Sequence, residues 1–265
     1  MKKSVEPDTP ILDDCLKLSS DPPAYKTKHY IVEADSKYIL KAVAWTKCIE
    51  SNVYPIMLDM MEHTPKVKLH ALHFVDHRHR GSKGTGAWFE RIKRFRNTQY
   101  VGSRIKIFHG KLHDQPPYRK VGDITYETIH GLLDEAKNSR NRTTKWKPIW
   151  RYELLDRIFE MELCQRLGDE MASEKRYHKR VKEGANYAVF AKFWKAYGWE
   201  PFKSLIVRLH NDPNFPPTLL DQNNFAYYMS LFTKEDVSGF FEKHGWNIDN
   251  KTKEKITEDL QKRSN

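Results

Sequence analysis

Gly122-Asp123-Ile124-Thr125-Tyr126-Glu127-Thr128-Ile129-His130-Gly131-Leu132-Leu133 is the stretch on which the reading of this chain turns. At 100° per residue, Ile129, Leu132, Leu133 and Ala136 form one face of a helix, and Tyr126, Glu127 and His130 form a contiguous neighbouring face. The spacing predicts a polar site set beside a core. Zinc peptidases use two histidines four apart because a helix then aims both imidazoles at one metal, while a glutamate after the first reaches the metal-bound water as general base. In this chain the first histidine position holds Tyr126, a phenol that must lose a proton of pKa about 10 to coordinate well.

Further along, Pro148-Ile149-Trp150-Arg151-Tyr152-Glu153-Leu154-Leu155-Asp156 brings a tryptophan three residues before a glutamate, with 22 residues between His130 and Glu153. Phe193-Trp194-Lys195-Ala196-Tyr197-Gly198-Trp199-Glu200-Pro201-Phe202 reads as a helix running into a Tyr-Gly-Trp turn. Phe225 to Met229 and then Val237 to Trp246 read as a closing segment whose small helix ends at a glycine and an aromatic. Together these stretches, over residues 120 to 248, resemble the gluzincin zinc metallopeptidases of the enhancin-like, mucin-directed type. The resemblance implies a metallopeptidase-like fold, a zinc cofactor, Glu127 as general base, His130 and Glu153 as metal ligands, and Tyr126 standing where the other histidine belongs. It also implies a polypeptide or glycoprotein as substrate or partner. The tyrosine points to a pseudopeptidase that keeps the fold for binding. The alternatives are an active zinc endopeptidase with Tyr126 as a weak ligand, or a deliberately altered site.

The rest of the chain reads as α+β: a small N-terminal mixed sheet with helices, then a mostly helical lobe. Residues 1–28, rich in Pro, Asp, Ser and Lys, read as a tail or irregular wrap. Residues 29–137 form an α/β lobe ending in the helix that carries the site, and residues 138–265 a helical lobe. In the first lobe, strands are expected at His29 to Glu33, Val67 to Val75, Gln99 to Gly102 and Arg104 to Phe108. A helix from Lys37 toward Met61 should be kinked or split by Pro55. Beyond Gly122, helices are expected at about 123–137, 149–170, 172–197, 200–209, 218–231, 234–244 and 252–263.

The 265 residues are 39% hydrophobic and 12% aromatic, far above what a disordered chain carries. Three widely separated cysteines, Cys15, Cys48 and Cys164, leave no CxxC pair and make a disulfide framework unexpected. No window approaches a membrane span, and the start of the chain does not read as a signal peptide. A soluble protein follows, cytoplasmic or secreted with its leader removed. A formal charge of +11 and a pI near 9.4 suit an anionic partner. A third functional class is therefore a basic nucleic-acid-binding protein, although no nucleic-acid module is recognisable.

Other polar features have plainer readings. Glu160 shares the helical face of Glu153 and rivals it as a ligand, whereas Glu162 falls among aliphatics and must be paired, protonated or liganded. His70, His73, His77, His79, His109 and His113 read as strand or solvated-loop residues. Lys83 in a glycine-rich loop, with Arg91 and Arg94 on a short helix, would rim a substrate cleft and favour acidic peptides or anionic glycans. The stripes Phe190, Phe193, Trp194, Tyr197 and Phe225, Tyr228, Met229, Phe232 read as core.

Overall fold

The computed structural model describes residues 12–62, 70–75, 87–95, 98–108, 125–129, 132–133, 154–212, 215 and 221–264. Two units divide the chain, Met1–Leu58 with Thr64–Leu132, and Asp59–His63 with Leu133–Asn265. The architecture is mixed α+β, with all described strands in the first unit and mostly helix in the second.

The first unit is organised by β3 (Tyr30–Glu33), whose four residues are all buried. A strand buried on both faces needs neighbours on both edges and a cover on both sides. Its edge neighbours are β2 (Pro23–Lys26), antiparallel, and β4 (His70–Val75), parallel. Outside these lie β1 (Leu16–Ser20), β5 (Ala87–Phe95) and β6 (Thr98–Phe108), giving one six-stranded sheet in the order β1-β2-β3-β4-β6-β5. Cross-strand register aligns Val32, Leu72, Ile105 and Phe89 in one apolar row, and Glu33, His73, Lys106 and Trp88 in the next.

Two expectations are corrected here. The stretch 1–28 is not simply a tail, because β1 and β2 within it extend the sheet in an antiparallel ladder. Short strands of mixed polarity lack the alternation that betrays a strand, and LKLSS at the sheet edge and PAYK beside it are of this kind. The expected helix at Arg91 to Arg96 is replaced by β5. Its ladder with β6 pairs Phe89 with Ile105 and closes with Phe95 opposite Thr98.

Helix α1 (Ile39–Asn52) and helix α2 (Tyr54–Met61) meet at Val53, two residues before Pro55. Proline cannot donate to the carbonyl four residues back, so the expected split occurs. Glu50 of α1 then ties down the β2–β3 connection, accepting hydrogen bonds from Thr27 Oγ1 at 2.9 Å and from the His29 backbone N–H.

The second unit carries α3 (Leu154–Arg166), α4 (Glu170–Lys182), α5 (Ala185–Tyr197), α6 (Glu200–Asn211), α7 (Gln222–Thr233), α8 (Ser238–Lys243) and α9 (Asn250–Ser264). The single helix expected over 172–197 is two, because Gly184 between α4 and α5 adopts φ +140°, a conformation open to glycine and costly for other residues. Asp169 closes one helix and opens the next: its N–H bonds Cys164 O at 2.9 Å, and its side chain accepts from Ala172 N at 3.0 Å. At the end of α8, Gly245 and Trp246 donate to Glu242 O at 2.9 Å and Phe241 O at 3.1 Å, the paired bonds of a Schellman turn.

The two aromatic stripes are the core of this unit, as expected for Phe190, Phe193, Trp194, Phe225 and Met229, all buried. Tyr197, Tyr228 and Phe232 lie at its margin, half-buried. Phe193 stacks on Phe241 at 5.1 Å, Phe241 on Trp246 at 4.8 Å, and Phe190 meets Phe225 at 4.7 Å. Contacts of this spacing add roughly 0.5–1.5 kcal/mol per pair beyond burial.

Candidate functional site

Residues 125–129 are helical, as the hydrophobic spacing requires, and so are residues 132–133. Thr125, Thr128, Ile129, Leu132 and Leu133 are buried. These five share one face of the helix, the buried face that the spacing predicts. Its anchor is a hydroxyl pair: Tyr30 Oη lies 3.2 Å from Thr128 Oγ1, and either oxygen can donate. Burial pushes the Tyr30 phenol far above its usual range, with the Thr128 hydrogen bond opposing that push, so the phenol stays protonated at every physiological pH. Tyr30 also meets Tyr54 edge-to-face at 5.9 Å. In this way β3 and α2 fix the depth at which the Tyr126-Glu127-Thr128-Ile129 stretch sits.

Tyr126 is half-buried and Glu127 only 8% exposed. Both interact with neighbouring groups. The general base expected at Glu127 is thus a carboxylate screened from bulk water and carried on an anchored helix. The other expected ligands, His130 and Glu153, lie outside the described residues, as does Lys83.

Donor chemistry tests the fit of a zinc ion. A catalytic zinc ordinarily takes three protein ligands and leaves one position open. Tyr126 supplies a phenol in place of a neutral imidazole, which does not fit that ligand set. Among the described residues, no three His, Cys, Asp or Glu side chains are arranged to hold a metal ion.

Arg91 and Arg94 both lie on β5, in the ladder with β6 that pairs Arg91 with Ser103 and Arg94 with Gln99.

The rival ligand Glu160 is committed elsewhere. It is buried and bridges two arginines, with Arg176 Nε 3.0 Å from Oε1 and Arg157 Nη1 3.5 Å from Oε2. Glu162 meets the demand placed on it by its apolar surroundings through Arg166 Nε at 2.8 Å and Trp194 Nε1 at 2.9 Å. Sequence reasoning missed the Tyr30–Thr128 and Glu160–Arg176 pairs. The motif treats position 128 as a spacer, and only the i,i+3 spacing of Arg157 and Glu160 signals part of the second.

Comparison with protein-family models, with curated proteins and with solved structures finds no match for this chain.

Proposed function

We propose that this chain is a gluzincin-like metallopeptidase domain whose metal site is degenerate, and that it serves as a pseudopeptidase binding a polypeptide or glycoprotein. The observation that carries the reading is the placement of Glu127. It is an enclosed carboxylate on a helix pinned to the central strand through Thr128 and Tyr30, directly after Tyr126 at the position of the missing histidine. The order of elements supports it too, with a mixed sheet first, the site helix next and helices afterwards. With zinc bound, such a site would polarise a peptide carbonyl and a water molecule. The chain's own groups are Glu127, which would accept a proton from that water, and His130 and Glu153, which would hold the ion. Tyr126 leaves this set one imidazole short, so peptide binding outlasts hydrolysis.

The test compares the unmodified chain with Tyr126→His for zinc content after purification without chelator and for cleavage of a glycosylated peptide library. The reading expects little zinc and no cleavage in the unmodified chain, and zinc retention in the variant. Stoichiometric zinc with cleavage by the unmodified chain would replace it with the active endopeptidase.

A further inference from the structure

We propose that the outer ridge of α4 is a docking surface for the phosphate backbone of a nucleic-acid duplex, a reading independent of the one given to the candidate site. Helix α4 turns Ser173 and Arg180 inward, where both are buried, and Arg176 reaches across to Glu160 of α3. Diametrically opposite, at steps of four, three and four residues, run Met171, Lys175, His178 and Lys182, all exposed. Met171 is 82% exposed. At 1.5 Å per residue the ridge is about 16 Å long.

The ridge contains no carboxylate. Lys179 flanks it on one side, while Glu174 on the other side is occupied by Lys195 of α5 and lies 3.8 Å from His178. Lys179 has Glu183 at 3.6 Å, and Lys175 and Lys182 make no ion pair among the described residues. Lysine ammonium groups left without carboxylates on an exposed helix face meet the charge complementarity that a phosphate row needs, and the chain as a whole carries +11.

The chemistry of the ridge selects the partner. A single strand is gripped through base stacking on exposed aromatics, and none stands on this ridge. Tyr177, nearer the inward side of the helix, is covered by Lys195 and by the His178 ring. A lipid surface would want an apolar face to insert, and Met171 is the one apolar residue in line. Duplex DNA offers the densest phosphate rows and needs backbone contacts only.

The experiment titrates the full chain with a mixed-sequence DNA duplex by fluorescence anisotropy over a range of salt concentrations. The triple variant Lys175→Gln, Lys179→Gln, Lys182→Gln is run beside a control that loses the same charge elsewhere, Lys234→Gln, Lys243→Gln, Lys251→Gln. Each phosphate contact contributes about −0.9 to the slope of log K against log salt, so the ridge variant should lose about 2.7 from the magnitude of the slope and bind roughly tenfold more weakly. The control should keep most of the slope. Equal effects of the two triples would overturn the proposal, as would absence of duplex binding by the unmodified chain. Binding to phosphatidylglycerol vesicles in preference to the duplex would overturn it in favour of a membrane partner.

Discussion

Tyr30 on the central strand and Thr128 on the candidate-site helix place their hydroxyl oxygens 3.2 Å apart in a buried environment. Ninety-eight positions of sequence separate them, so this pair couples the depth of the site helix to the integrity of the sheet. Tyr30→Phe and Thr128→Val should each destabilise the protein by about 1–3 kcal/mol, because each leaves the surviving hydroxyl without this buried partner. The double variant should lose less than the sum of the two. Urea denaturation monitored by circular dichroism measures all three, and strict additivity would mean that the two hydroxyls do not interact.

The bridge from Glu160 to Arg176 and Arg157 predicts an asymmetric response. Glu160→Gln removes the carboxylate charge that two partly buried guanidinium groups face and should cost about 3 kcal/mol, near the lower end for breaking such a pair. Replacing both Glu160 and Arg176 by methionine should cost less than the single change. A single variant as stable as the parent would show that the bridge contributes nothing.

Gly245 holds φ +88° in the Schellman turn after α8, and a Cβ added there would meet nothing within 4 Å. Gly245→Ala should therefore cost about 1–2 kcal/mol through backbone strain alone. A much larger loss in thermal denaturation would point to a steric conflict instead.

Tyr227 donates to Asp259 Oδ2 at 2.7 Å, joining α7 to α9. Burial first, and then the Asp259 carboxylate, push the phenol up to about 12, while the Tyr227 hydrogen bond holds Asp259 below its usual range. The raised phenol contributes stability that is complete below the unfolded tyrosine value of about 10 and is lost as pH rises through about 12. The depressed carboxylate contributes stability that is present above the unfolded aspartate value of about 3.9 and is lost as pH falls through the lower folded value. Tyr227→Phe should flatten both limbs of the stability profile. A profile unchanged in the alkaline limb would contradict the assignment.

Much of this fold is legible in the sequence where local chemistry decides it. Pro55 ends α1, the run Tyr30 to Glu33 is a strand, and the aromatic stripes at helical spacing form the second unit's core. Legibility fails where pairing decides. PAYK becomes a strand because β3 offers an edge, LKLSS because β2 then offers the next, and the basic stretch around Arg91 is a strand because β6 lies beside it. Gly184 was readable as a break, since an isolated glycine inside a long helical pattern carries its own signal. At the site, the motif identifies Tyr126 and Glu127, but the Thr128 anchor depends on a strand nearly a hundred residues earlier.

The most direct measurement of the central claim is competitive zinc titration of Tyr126→His alone and combined with His130→Ala or Glu153→Gln. If positions 126, 130 and 153 converge on one ion, the single change raises zinc affinity by orders of magnitude over the unmodified chain, and either second change abolishes most of the gain. An unchanged affinity for Tyr126→His, or a gain that survives both second changes, would contradict the account.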